Sequence, residues 1–358
     1  MDDPVQSGKK ILTDLPVSKL LLEQLDKFSK ESVRAKNVRV FNPRTLYQSI
    51  NISPGKEVVA VDIGGNKIVA ATYKVSEGKL WQIDIPKELK STNGSGYLGF
   101  LEEVLGEAEK KELPVGIAFP GAVEDNSAID DPNVRNFTGE LSMKYDSNFG
   151  NIYPNVTVAN DCEVGLMAGA IYSIKNFPRA DEVIFVVNGS GLNTAVLKNN
   201  QTISMESGHV EVVEQLNRFE RKKPCLMFGN QYVCLERVGG GRAGIEDIWL
   251  EQTKEKMRGQ QIAESVLSGS DLAKDIFDNS ALIVAHMVAG VVKAFDLMQM
   301  DCATTVVCHG GIFNNLDYGE RVKQIIEDNI RVKANWLFTK DFTADASLDG
   351  AAIAALTI

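Results

Sequence analysis

The sequence predicts an α/β protein built from two related domains. Three observations point there: a glycine-turn hairpin signature that occurs twice, β-branched runs that end in Gly, Asn or Asp, and helical apolar stripes between those runs. The first signature reads VVAVDIGGNKIVAATYKV over Val58–Val75, and the second VIFVVNGSGLNTAVLKNN over Val183–Asn200. In each, a β-branched run meets a glycine turn and then a second strand-like run, which reads locally as a β-hairpin. Such a turn also lets backbone N–H groups approach a phosphate closely. A repeat of this kind is not expected from turn chemistry alone, so the two halves read as related domains that clamp one nucleotide.

The elements follow in order. A length of 358 residues favours about two domains. Residues 1–55 read as an N-terminal arm, with a helix over Ser18–Phe28 whose stripe is Leu21, Leu25 and Phe28. The arm is too short for a winged helix. An N-terminal domain over 56–160 starts with the first hairpin and a third strand at Leu80–Ile85. A helix at Tyr97–Lys111 buries Leu101, Val104, Leu105 and Ala108, and a strand follows at Val115–Phe119. Strand, strand, strand, helix, strand is the order of ribonuclease-H-like domains. Asp125–Asn155 is loop-dominated, and a strand at Val156–Ala159 runs into Asn160, Asp161 and a helix to Ile174.

The larger C-terminal domain spans 161–344 and holds the second hairpin. It has a long loop region from Glu214 to Gly244, helices to Met300, and a strand at Thr305–Val307 leading to His309, Gly310 and Gly311. A helix at Tyr318–Ile330 and a strand at Trp336–Thr339 follow. An Ala-rich helix at Leu348–Leu356, within residues 345–358, completes the N-terminal domain. The most apolar stretch, Ala281–Met298, carries His286, Lys293 and Asp296, so it reads as a buried interdomain helix rather than a membrane span.

Charge and cysteine usage narrow the function. A formal net charge of −10 argues against nucleic acid held on a broad basic surface, but a local site of N–H groups and a cation still suits a phosphorylated ligand. Five sparse cysteines and a start, MDDPVQSGKK, without an apolar run predict a cytoplasmic protein with no membrane partner.

Asp62 stands just before Gly64 and Gly65, where a carboxylate beside phosphate needs a cation. Asp62 then orients hydrated Mg²⁺, while Gly65 and Asn66 offer donors. An ordinary hairpin turn accounts for these residues equally well when they are taken alone. Gly189, Ser190 and Gly191 repeat the arrangement. Asn160 and Asp161 stand where a strand's carboxyl end opens a helix. A carboxylate there suits a general base for a sugar hydroxyl, the rival reading being a helix cap. Glu206 and His209 suit a polyhydroxylated ligand, or else lie in a surface loop. Cys225 and Cys234, with eight residues between them, fit two reduced structural thiols better than a zinc site.

Together these motifs resemble the ROK family of repressors, open reading frames and sugar kinases, from about Val58 to the C-terminus. The resemblance implies an actin-like fold of two ribonuclease-H-like domains with a cleft between them. It implies ATP-dependent phosphorylation of a hexose or N-acetylhexosamine, with ATP and Mg²⁺ as cofactors and a homodimer as the assembly. DIGGNKIVAA looks like the first phosphate motif, with Asn66 where the family has Thr, and NGSGLNTA like the second, with Asn193 and Thr194 replacing glycines. The resemblance assigns Asp161 as general base. It assigns the loop of Gly121, with Asn136, Asn160, Glu206, His209 and Glu236, to the sugar, and Gly310 and Gly311 to the adenosine side. The family's cysteine cluster is incomplete, because Met227 and Gly229 stand where cysteines are expected; His209, Cys225 and Cys234 are the remaining zinc candidates. A catalytically weak, kinase-like sugar sensor is the rival function.

Overall fold

The computed structural model describes residues 23–25, 38–64, 67–91, 96–121, 123–124, 127–128, 153, 155–212, 216, 218–219, 224–225, 232–295, 297, 304–315, 317–330, 334–343 and 345–357. The expected contributions of Gly65, Asn66 and Asn136 therefore lie outside the described residues.

Fourteen strands are described: β1 (Val38–Val40), β2 (Glu57–Ile63), β3 (Lys67–Ser76), β4 (Lys79–Gln82), β5 (Lys87–Lys90), β6 (Val115–Phe119), β7 (Val123–Glu124), β8 (Ser127–Ala128), β9 (Val156–Asn160), β10 (Val183–Asn188), β11 (Leu192–Lys198), β12 (Gln201–Met205), β13 (Thr305–His309) and β14 (Asn335–Phe338). The α-helices are α1 (Pro43–Ile52), α2 (Tyr97–Lys110), α3 (Asp161–Asn176), α4 (Leu235–Gly239), α5 (Asp247–Thr253), α6 (Gly259–Leu267), α7 (Asp271–Ala294), α8 (Tyr318–Ile330) and α9 (Ala346–Ala355). Hydrogen-bonded strand order is β4-β3-β2-β6-β9 in one sheet and β1-β12-β11-β10-β13-β14 in the other. Without β1, and without β5, which pairs with β3 off this path, both sheets run third, second, first, fourth, fifth in chain order. The repeat seen in the two hairpins thus extends to whole sheets, each of mixed α/β architecture.

The chain divides into two units. The first comprises Ser32–Pro178, Ala195–Ser204 and Phe342–Ile358, and the second Met1–Glu31, Arg179–Thr194 and Met205–Asp341. The division falls after Pro178, so α3 stays with the first sheet. The expected N-terminal arm is shared out: β1 and α1 belong to the first unit, whereas Glu23–Leu25, a helical turn with Leu25 fully buried, belongs to the second.

In the first unit, strand alternation decides which way each residue of β2 points. Val59, Val61 and Ile63 join Leu101, Val104 and Leu105 of α2 in one core. The residues between them take the opposite face. Ala60 is in register with Gly116, and Asp62 with Ala118. That face meets α9: a Cβ on Gly116 would lie 1.9 Å from the Ala351 carbonyl oxygen, so only glycine fits. The same alternation places Asp62 on the side of the sheet covered by α3 and α9.

In the second unit, β10, β13 and β14 pair in parallel. The expected interdomain helix is α7, and it is internal to this unit, packed against α4, α6 and α8. It is long and apolar enough to cross a membrane by length and composition, but Ile276 and Ala281–Val292 are buried in protein. Two local expectations change. The strand expected at Leu80–Ile85 is β4, which ends at Gln82, and a further short strand, β5, follows beyond it; both pair with β3. The loop expected up to Gly244 is helical from Leu235, because Val238, Gly241, Gly244 and Ile245 are buried. A π-helical turn covers Gly241–Glu246, a form common at functional sites.

Candidate active site

The first unit gathers carboxylates. Asp161 is the first residue of α3, at the carboxyl end of β9. The helix cap is Asn160, whose Oδ1 accepts from the Cys162 amide at 3.0 Å. Asp161 Oδ1 also accepts from that amide, at 2.7 Å, and the residue keeps partial solvent access. Burial pushes its pKa up to about 6, against the pull of the Cys162 amide and its own. Asn160 is committed locally. Its Nδ2 donates to the Gly121 carbonyl at 2.9 Å, and its Oδ1 accepts from Ser204 at 3.0 Å. The structure thus joins Gly121, Asn160 and Asp161 in one hydrogen-bonded corner.

Asp62 precedes the first turn, where the Gly64 amide donates to Lys67 at 2.8 Å. Burial pushes its carboxyl well above the usual range, with further upward pressure from Asp345 and Asp161 and relief from Lys67. Asp345 has no place in the sequence reading. It caps α9, accepting from the Leu348 amide at 3.1 Å, so the C-terminal helix brings its cap to Asp62. A capping residue before an Ala-rich helix was the available signal. Among the described residues, His209, Cys225 and Cys234 alone form a group of three with ligand atoms within 4.8 Å of one another. The three carboxylates are more widely spread. That suits a hydrated cation held through water, and not a closed protein cage.

The second unit supplies a turn of backbone groups with neutral side chains beneath it. The Gly189 amide donates to the Gly191 carbonyl at 3.0 Å, closing the second turn. The Arg242 amide donates to the Ser190 carbonyl at 3.3 Å. Gly310 has φ +109°, and its neighbour Ile312 donates to the Asn188 carbonyl at 3.2 Å, so the Gly310–Gly311 corner lies against the same turn. Beneath it is a buried network. Asn188 Nδ2 donates to the Gly239 carbonyl and to Tyr318 Oη, each at 3.1 Å, and Ser280 Oγ reaches the same two groups at 2.6 and 2.7 Å.

Glu206, His209 and Glu236 converge in this unit. Glu236 Oε2 accepts from the Leu192 amide at 3.1 Å, and Glu206 Oε2 lies 3.8 Å from His209 Nε2. Gly208 is fixed by close approach: a Cβ there would lie 1.8 Å from the Leu192 carbonyl oxygen. Asn193, a departure in the sequence, is a hub here. Its Oδ1 accepts from the Thr194 and Ser207 amides at 2.8 and 3.1 Å, and its Nδ2 reaches Glu206 at 3.4 Å.

His209 Nδ1 lies 3.6 Å from Cys225 Sγ. Burial lowers the imidazole pKa, but Cys225, Glu236 and Glu206 together raise it to about 9. Cys225 and burial hold the Cys234 thiol neutral. Met227 and Gly229 lie outside the described residues. The described donors number three, one short of the four in a closed structural zinc site.

Residues 58–358 match the ROK family across the whole of the site. The chain belongs to the ROK family. Solved structures agree on the fold. A ROK family glucokinase from Streptomyces griseus, in complex with glucose and AMPPNP, is 21% identical with a TM-score of 0.60, covering 84% of this chain and 100% of that one. The ROK hexokinase from Thermus thermophilus is 19% identical with a TM-score of 0.59, covering 84% and 98%. A ROK family transcriptional regulator, a homologue of the E. coli MLC protein, is 15% identical with a TM-score of 0.57, covering 98% and 95%. The two-sheet architecture is that of ROK sugar kinases, the actin-like ATPase fold. A search of curated proteins by sequence returns no match.

Proposed function

We propose that this ROK protein transfers the γ-phosphoryl group of ATP to a hydroxyl of a hexose or N-acetylhexosamine. The observation that carries the reading is Asp161, a partly accessible carboxylate with its pKa raised to about 6 at the mouth of a strand–helix corner. A base of that strength is ionised at neutral pH yet still takes a proton readily. Asp161 accepts the acceptor hydroxyl's proton as that oxygen attacks phosphorus. Asp62 would hold Mg²⁺ through water, and the ion would supply neutralisation of phosphate charge. The amides of the Gly189–Gly191 turn serve as phosphate donors, with Gly65 and Asn66 as their counterparts. Glu206, His209 and Glu236 hold sugar hydroxyls, joined by Asn136, while Asn160 shapes the Gly121 corner. Gly310 and Gly311 flank the nucleoside.

An ADP-release assay over a panel of hexoses and N-acetylhexosamines tests the reading. Turnover that Asp161→Asn abolishes supports it, and no turnover with any sugar ends it. A second reading, a sugar sensor without catalysis, draws on the regulator that shares the fold and on Asn193 and Thr194 in the second motif. Sugar-dependent thermal stabilisation without turnover identifies that case.

A further inference from the structure

Arg39 lies before residue 58, outside the matched family domain. β1 pairs antiparallel with β12, setting Arg39 opposite Thr202. From there one guanidinium reaches both sides of the strand–helix corner. Nη1 donates to Thr157 Oγ1 at 3.0 Å and Nη2 to the Val158 carbonyl at 2.9 Å, both in β9 just before Asp161. Nε lies 3.4 Å from Glu163 Oε1, in the first turn of α3 just after Asp161. Thr202 Oγ1 completes the link, donating to Glu163 Oε1 at 2.5 Å and lying 3.3 Å from the Arg39 carbonyl. The Glu163 side chain is 8% exposed and that of Arg39 28%. A buried carboxylate is tolerated when it is paired and hydrogen-bonded, and losing its partner is costly. All these groups belong to the first unit.

We propose that Arg39 is a positioning residue for phosphoryl transfer: it clamps β9 to α3 across Asp161, so a segment outside the family domain holds the general base. The inference rests on the kinase reading for its catalytic consequence, but the clamp itself does not. Strand pairing alone would cover the β12 edge with any residue at position 39. A planar, forked side chain that grips a hydroxyl, a carbonyl and a carboxylate at once fixes a corner in a way a point charge does not.

The test uses Arg39→Met, Arg39→Lys and the double variant Arg39→Met with Glu163→Gln. Arg39→Met is expected to lower kcat by about 10- to 100-fold, with sugar and ATP KM within about twofold, as a small misplacement of a reacting group does. Arg39→Lys should recover part of kcat. The double variant removes the unpaired carboxylate, so its thermal midpoint should return towards that of the unsubstituted protein while kcat stays low. Wild-type kcat in either Met variant, or a kcat loss that follows only the folded fraction, overturns the proposal. Hydrogen exchange at the Cys162 amide, which Asn160 and Asp161 both bind, reports the clamp without turnover. Exchange faster by about tenfold in the double variant supports the clamp, and unchanged exchange refutes it. If the unsubstituted protein turns over no sugar, the kinase reading fails on its own and the exchange result still decides the clamp.

Discussion

The two halves share a strand order and differ in chemistry. At the first turn the strand ends in Asp62, with Asp161 and Asp345 exerting their charge on it. At the second, Val187 and Asn188 stand at the corresponding place, and Asn188 is held by Gly239 and Tyr318. Position 161, after the fifth strand of the first half, is a carboxylate opening a helix; after the fifth strand of the second half, Thr339 begins a 3₁₀ turn. At these corresponding strand ends, one copy of the scaffold thus carries acids and the other amides with neutral side chains. Acids suit a cation and a proton acceptor, and oriented amides suit phosphate oxygens. The shared strand order is the common frame, and the two copies differ at a few strand ends.

The sharpest way to break that comparison is Asp161→Asn. Turnover should fall by about 10²- to 10⁴-fold, the usual worth of a positioned base, with sugar binding retained by calorimetry. Unchanged turnover would show that the acidic half does no chemistry. Next in size is Gly208→Ala in the other half. Its Cβ meets the Leu192 carbonyl, so about 3 kcal/mol or more of stability should go in denaturant unfolding, along with sugar affinity. A fully stable variant would mean that the Glu206–His209 turn is not packed as described.

The third concerns pH. Asp161 must be ionised to accept a proton, so kcat/KM should fall tenfold per unit below about pH 6. The stability effect has the opposite sense. A carboxyl whose pKa is raised in the fold contributes stability below its unfolded value near 3.8, and loses it as pH rises through about 6. Asp161→Asn should therefore be more stable than the parent at pH 8 by about 1–3 kcal/mol, with the gap closing by pH 4. A constant gap across that range would mean Asp161 is not desolvated. The smallest effect belongs to Tyr318→Phe, which removes one hydroxyl from beneath the second turn. About 1–2 kcal/mol of stability should be lost, because Asn188 and Ser280 each lose a partner. A neutral result would leave the turn held by its backbone alone.

Much of the frame was legible because it follows from local pattern. The β-branched runs, the turn glycines and the stripe of α2 each sit within a few residues of one another, and they delivered β2, β3, β6, β9 and α2 nearly to the residue. The Asp161 corner was readable from a strand running into a helix. The loop expected over Glu214–Gly244 gives way to helical turns from Leu235, and there Gly239, Gly241 and Gly244 lie too close to Ile283, Gly189 and Val238 to carry a side chain.

By itself the sequence determined the repeat, the strand–turn–strand frame and the residue types at the strand ends, since these depend on neighbours along the chain. The tertiary structure alone decided which distant residues share a site. Asp345 reaches Asp62 only because α9 packs on β2 and β6, and Arg39 reaches Glu163 only because β1 pairs with β12. Asn193 became the support of Glu206 in the same way. Such meetings are set by packing and pairing between segments far apart in the chain, for which no local periodicity exists to be read.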